Sequence, residues 1–308
     1  MASVISTTKL SRSFGDVRAV DQVDLEVNEA EMFGIVGPDG AGKTTLIRLL
    51  CGILVPTSGT AHVLGKDLKH EADAIKREIG YLSQRFTLYG DLTIDENIEF
   101  FAEINKVYDY KERREQLLEF TRLTPFRTRL AERLSGGMKQ KLALACTLVH
   151  TPKIIFLDEP TTGVDPVSRR DFWKILQSLL HEGITIVMTT PYLDEAERCT
   201  RVAFMNHGSL LHVAPPAELK KLMKGTVVEI SCDRVREGFR LLKDLREDIE
   251  VQAFGDRLNV VVQDADRDIP QARGILTDAG IHISALRVVP PTLENVFISM
   301  LTHSEGVA

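Results

Sequence analysis

The chain has 308 residues, 44% hydrophobic and 27% charged, a globular composition long enough for two domains with separate cores. Its 38 Lys and Arg stand against 44 Asp and Glu, a net charge of -6, which gives no bulk attraction to nucleic acid and leaves only a local basic patch for such a role. No apolar run approaches the roughly 20 residues that span a bilayer, and "MASVISTTKLSRSF" lacks the apolar centre of a signal peptide. The expectation is a soluble, cytosolic chain that meets a membrane only by docking. Cys51, Cys146, Cys199 and Cys232 lie far apart without C-x-x-C spacing, which argues against a zinc site and fits reduced, buried thiols.

From residue 3 to about 28, "SVISTTKLSRSFGDVRAVDQVDLEV" alternates apolar and polar with a break at Gly15-Asp16, the pattern of antiparallel strands joined by a turn. "EMFGIVG" is a short apolar strand, followed by a glycine loop and the helical run "TTLIRLLCGIL". "REIGYLSQ" gives another strand ending at Gln84, and "TIDENIEFFAEINKVY" places Thr93 and Glu96 in capping-box spacing. Helical periodicity then dominates to about Val149, a helical segment of about 85–150. "KIIFLDEP" and "ITIVMTTP" are apolar without alternation, as strands buried on both faces of a parallel sheet are, and a helix over about 166–181 links them. "RVAFMNHGSLLHVAPP" reads as a hairpin and "AELKKLMKG" as a helix ending at Gly225. Beyond it the order is β-α-β-β-α-β, the split order of ferredoxin-like α+β domains. The division falls near 224/225, giving a first domain over 1–224 and an accessory domain over 225–308.

"GPDGAGKTT" comprises Gly37, Pro38, Asp39, Gly40, Ala41, Gly42, Lys43, Thr44 and Thr45. It fits G-x-x-x-x-G-K-[ST] between a strand and a helix, the context a phosphate loop requires. Glycines let backbone N–H groups turn toward phosphate oxygens, Lys43 reaches the terminal phosphates, and Thr44 is suited to Mg2+. At the end of "IIFLDEP", Asp158 is suited to hold Mg2+ and Glu159 to polarise an attacking water. "LSGGMKQKLALACTLV" offers Ser135 as an N-cap with Gly136 and Gly137 behind it, a second helix N-terminus open to close approach by an anion.

The loop over 37–45, Gln84 after its strand, "LSGGM" at 134–138, "LDEP" at 157–160 and "GVDP" at 163–166 stand in the order and spacing of ATP-binding cassette (ABC) ATPases, and the chain resembles that family from residue 3 to about 222. The resemblance implies a P-loop α/β fold with a helical subdomain and an antiparallel N-terminal sheet. It also implies ATP and Mg2+ as ligands, and a head-to-tail dimer in which the partner's "LSGGM" segment closes over ATP. By matching position, Phe14 is the aromatic that stacks on adenine, with a core role as the alternative. Gln84 is the sensor touching Mg2+ and water, otherwise a surface amide; Asp165 belongs to a dimer-bridging loop, otherwise a helix cap before Pro166. "RFTLYGDLTIDENIEFF" would receive a coupling helix of the membrane subunits, or simply pack a core. "PPTLENVFISMLT" resembles the tail of ATP-binding subunits of ABC-2-type exporters, and the two phosphate segments resemble their YbhF type. The implied partners are ABC-2-type permease subunits and a second ABC ATPase subunit, on the cytoplasmic face of the inner or plasma membrane. A nucleotide-sensing module without hydrolysis is a rival reading. A non-transport ABC protein of translation or DNA repair is another, but tandem cassettes or long coiled-coil insertions are not visible.

One position departs from the family pattern. The residue after "TT" in "IVMTTPYLDEAE" is usually a histidine that contacts the terminal phosphate; here it is Pro191, which has no N–H and no titratable group. The expectation is that MgATP binds while this chain's own site hydrolyses slowly, and that a heterodimer with a histidine-bearing subunit supplies a competent site. His207 and His212 fall in the hairpin and are poor replacements.

Overall fold

Apolar and polar residues alternate over the first strands, β1 (Ser3–Phe14) and β2 (Val17–Asn28), which pair antiparallel about the Gly15 turn. The chain continues through β3 (Met32–Val36), α1 (Lys43–Leu50), β4 (Ser58–Val63), β5 (Lys66–Asp67), α2 (Ala72–Lys76) and β6 (Ile79–Leu82). Three helices come next, α3 (Ile94–Ile104), α4 (Lys111–Phe120) and α5 (Gly136–Leu148). Then come β7 (Ile154–Asp158), α6 (Pro166–His181), β8 (Thr185–Thr190), the short α7 (Leu193–Ala196), β9 (Arg201–Asn206) and β10 (Ser209–Ala214). The computed structural model describes residues 2–84, 88–246 and 249–305.

Two sheets build the first unit, which ends at Val213. One is antiparallel, in the order β2-β1-β4-β5; the other has the order β10-β9-β3-β8-β7-β6. β3 pairs parallel with β8 and β9, and β7 pairs parallel with β6 and β8. Every residue of β3, β7 and β8 is buried, which is why these runs lack alternation. The expected capping box is present: Thr93 accepts from Glu96 N, and Glu96 accepts from Thr93 N at 2.7 Å. His207 and Gly208, both at positive φ, make the two-residue turn of the β9–β10 hairpin.

The second unit begins at Ala214, not near 225. The helix read as ending at Gly225 is α8 (Pro216–Lys221), and it packs against the last helix of the chain, so it belongs to the second unit. That unit holds β11 (Thr226–Cys232), α9 (Val235–Leu245), β12 (Glu250–Phe254), β13 (Arg257–Val262), α10 (Ala265–Asp278), β14 (Ile283–Val289) and α11 (Leu293–Glu305). Its sheet runs β12-β13-β11-β14, each neighbouring pair antiparallel, the split β-α-β arrangement read from the sequence. Val228, Ile230, Leu258 and Val260 form a core with Leu242 and Leu276 of α9 and α10. By alternation Gln252 takes the other face, where its amide exchanges hydrogen bonds with Asn295 of α11 at 2.7 and 3.1 Å. All four cysteines are free and buried.

Asp268, 1% exposed, lies 2.8 Å from both Arg267 Nε and Arg246 Nη2. These partners, Arg267 foremost, hold its carboxyl well below the usual carboxylate range. Its stabilisation is therefore complete above the unfolded-state pKa of about 3.9 and disappears as pH falls below that value toward the folded one. The expected outcome is that Asp268→Asn lowers the melting temperature of the second unit at neutral pH, and that the difference from the parent protein shrinks in calorimetric scans taken toward pH ~2.

Candidate nucleotide site

The register of the parallel strands places three chain segments side by side. Val36 pairs with Thr190, and Asp158 with Thr189, so the glycine loop after β3, the acidic pair closing β7 and Pro191 after β8 all lie at the carboxyl ends of the parallel strands. Ligands of α/β proteins are handled at those ends.

The glycine loop is shaped by backbone contact. A Cβ on Gly37 would lie 2.1 Å from the carbonyl oxygen of Met205, and one on Gly42, at φ 102°, would lie 2.2 Å from that of Ala19. Gly208 N donates to Ala41 O at 2.9 Å, so the hairpin supports the back of the loop. The front is different: a Cβ on Gly40 would have nothing within 4 Å, and Pro38, Asp39 and Gly40 are exposed. Helix α1 begins at Lys43 with no side-chain cap, which leaves first-turn amides for an anion. Lys43 is 4% exposed; its Nζ donates to Gly37 O at 2.8 Å and Pro38 O at 3.0 Å and lies 3.6 Å from Glu159 Oε1. An open tip, uncapped amides and one buried cation fit a nucleotide's phosphate tail.

Asp158 is fully buried. Its Oδ1 accepts from Thr44 Oγ1 at 2.9 Å and Thr189 Oγ1 at 2.8 Å, and its Oδ2 from Tyr81 OH at 3.5 Å. Burial raises the Tyr81 phenol, which keeps it a donor. Glu159 sits at φ 49°, a left-handed conformation that costs a non-glycine residue roughly 1–2 kcal/mol. Its amide offsets that cost, donating to Thr189 Oγ1 at 3.0 Å and Thr189 O at 3.2 Å. Gln84 Nε2 donates to Glu159 Oε2 at 2.9 Å. The structure thus brings together Lys43, Thr44, Gln84, Asp158 and Glu159.

Ser135 caps α5 by accepting from Met138 N at 3.3 Å, and Ser135 and Gly136 are exposed. Gly137 is buried: a Cβ there would stand 2.3 Å from Ser168 Oγ. Among the described residues no hydrogen bond joins 135–137 to Lys43, Asp158 or Glu159. Asp165 caps α6, its Oδ1 accepting from Val167 N and Ser168 N at 3.1 and 3.0 Å. Phe14 is 45% exposed, outside the core, with the Arg12 guanidinium 4.6 Å from its ring centroid. His207 and His212 are exposed in the hairpin. Of the segment read as a coupling groove, residues 85–87 lie outside the described residues; in the remainder Tyr89 meets Phe100 edge-on at 4.4 Å.

Sequence reasoning missed Tyr81, Thr189, Thr190 and Glu195. The two threonines carried a usable signal, since two hydroxyls ending an apolar strand need buried partners. Replacing Thr189 by Val keeps the shape but removes the donor to Asp158 and the acceptor for Glu159 N. Denaturant unfolding of the first unit is expected to show a loss of about 1–3 kcal/mol.

Three kinds of comparison bear on this geometry. A model of the ABC transporter family matches residues 20–162. Over 220 residues, 71% of the chain, identity is 42% to the probable multidrug ABC transporter ATP-binding protein YbhF of Escherichia coli K12, but the match spans only 38% of that relative's length. Identity is 33% to the daunorubicin/doxorubicin resistance ATP-binding protein DrrA of Streptomyces peucetius, over 97% of this chain and 92% of DrrA. It is 35% to the Nod factor export ATP-binding protein I of Sinorhizobium fredii, over 96% and 85%. Among solved structures, a nucleotide-free ATP-binding cassette from an ABC transporter matches with TM-score 0.64 at 26% identity, over 70% of this chain and 92% of that one. The dimeric bacterial cassette MJ0796 matches with TM-score 0.62 at 27% identity, over 68% and 98%. With DrrA matched across nearly all of its length by a chain whose acidic pair, Lys43 and Gln84 converge as described, the conclusion is that this chain belongs to the ABC transporter family, among its ATP-binding proteins.

Proposed function

We propose that the chain is the energy-coupling, ATP-hydrolysing subunit of an ABC-2-type exporter, working at the cytoplasmic face of the membrane against permease subunits. The observation that carries this reading is the convergence of Lys43, Thr44, Gln84, Asp158 and Glu159 at the carboxyl ends of the parallel strands. The names of the relatives, which speak of multidrug transport, drug resistance and Nod factor export, support the exporter assignment.

In this reading loop 37–45 holds the triphosphate through its amides and Lys43, and Phe14 stacks on the base with the ring face that Arg12 leaves open. Thr44, Asp158 and Gln84 would hold Mg2+, which when bound neutralises charge on the phosphate oxygens. Glu159, aimed by its backbone and by Gln84, polarises water. Exposed Ser135 and Gly136 cap the nucleotide of a neighbouring ATPase subunit in a head-to-tail dimer, with Asp165 at the bridge, and the dimeric state of MJ0796 supports such a pairing.

The strand end at Pro191 weakens this chain's own site. The Thr190 hydroxyl donates inward to Glu195 at 2.8 Å, so neither Thr190 nor Pro191 offers a side-chain donor to a developing oxyanion. Loss of one such donor costs ~3 kcal/mol, about a hundredfold in rate. The corollary is a heterodimer with a histidine-bearing subunit, this chain supplying the intact cap. Pro191 also favours a second reading, a nucleotide sensor that never hydrolyses.

The expected outcome is that the purified chain binds MgATP saturably, that Lys43→Ala abolishes the binding, and that Pro191→His raises steady-state turnover by about a hundredfold. Equal and measurable turnover with and without the histidine contradicts the weakened site. Absence of turnover from both supports the sensor. Detergent extracts should yield the chain together with membrane subunits and a second ATPase; homodimers alone in the working transporter would contradict the heterodimer.

A further inference from the structure

Behind the hydrolytic pair lies another buried carboxylate. Glu195 is 1% exposed, and its Oε2 accepts from Thr161 Oγ1 and from Thr190 Oγ1, each at 2.8 Å. Thr161 belongs to the segment that runs from Glu159 to Asp165; Thr190 ends β8. Arg169, one turn into α6, brings its Nε to 3.4 Å from Glu195 Oε1, and neither atom completes a hydrogen bond. The Arg169 guanidinium also covers the Tyr192 ring at 4.6 Å, and Tyr192 N donates to Thr190 Oγ1 at 3.0 Å.

Alternation along β8 divides the work. Thr189 points to Asp158 and holds the Glu159 amide, whereas Thr190 points away, to Glu195. The strand end thus carries two layers of hydroxyl–carboxylate bonds, one serving the reacting groups and one tying the strand to the loop and helix around Asp165. A buried carboxylate costs several kcal/mol unless hydrogen bonds and a counter-charge offset it. An apolar residue would fill the same space but could not bond the strand and the loop at once.

We infer that Glu195 is a positioning residue that couples the Asp165 loop to the strand end beside Glu159, so that movement of the loop and of α6 is transmitted to the hydrolytic pair. The incomplete contact between Oε1 and Arg169 is where a shift of α6 is felt. This inference rests on the proposed hydrolytic site and adds a path by which a partner subunit at Asp165 reaches it.

Hydrogen exchange on the full chain tests it, using Thr161→Val and Thr190→Val. Each substitution is expected to speed exchange in both segments, 160–168 and 189–197, and Thr161→Ser should return both to the parent rates. In turnover assays the valine variants should lose about tenfold in kcat, with KM and MgATP affinity within about twofold. Should either valine variant fail to fold, Glu195→Gln, which keeps volume and one acceptor but drops the charge, is expected to loosen the same two segments. Loosening confined to the substituted segment, or kcat and KM changing together, overturns the coupling. Failure of the parent chain to bind MgATP would count against the nucleotide site alone, while the exchange pattern would still decide the coupling.

Discussion

The carboxylate of Asp158 is the joint on which the site is assembled. A charge that deep in a parallel sheet is tolerable only when its oxygens are hydrogen-bonded, and the donors come from separate elements. Thr44 belongs to α1, Thr189 to β8 and Tyr81 to β6. The same requirement that makes the carboxylate tolerable therefore fixes the glycine loop's helix, the strand bearing Pro191 and the strand leading to Gln84. Once they are fixed, Glu159 has one place to point, and its left-handed backbone is held by the Thr189 carbonyl and hydroxyl.

Glycine serves two purposes around this joint. Gly37, Gly42 and Gly137 are places where another part of the chain comes too close for a side chain; they set how the loop sits on β2 and β9, and how α5 sits on α6. Gly40 is the opposite case, open in front and at φ 80°, shaping a surface that something else can approach. A motif read as one string of glycines thus contains both anchors and an opening.

Much of this is legible from residues alone, because the chemistry is local. A glycine loop between strand and helix, a capping box at Thr93, a hairpin turn at His207-Gly208 and the split order of the second unit are written in short-range patterns. The hidden part depends on register. That Thr189 rather than Thr190 bonds Asp158 depends on which residue of β7 lies opposite which residue of β8, and a single chain does not display that pairing. β4 escapes a reading by pattern because "SGTAHV" is half polar and lies in an antiparallel sheet with most of its residues exposed. A division near 225 misplaces α8, because so short a helix carries no sign of the distant α11 on which it packs. For Phe14 the sequence allows both core and surface, and only its exposure separates the two.

The four sulfhydryls lead to a different kind of consequence. All are buried, and desolvation raises each, Cys199 to about 12. Thiolate, the nucleophile that attacks oxidants and alkylating agents, is scarce in the closed protein. Modification of the three fully enclosed thiols therefore has to wait for local opening, which makes Cys51, Cys146 and Cys199 native clocks for breathing of the cassette. The chain carries its own chemical timers, and no introduced cysteine is needed to read them.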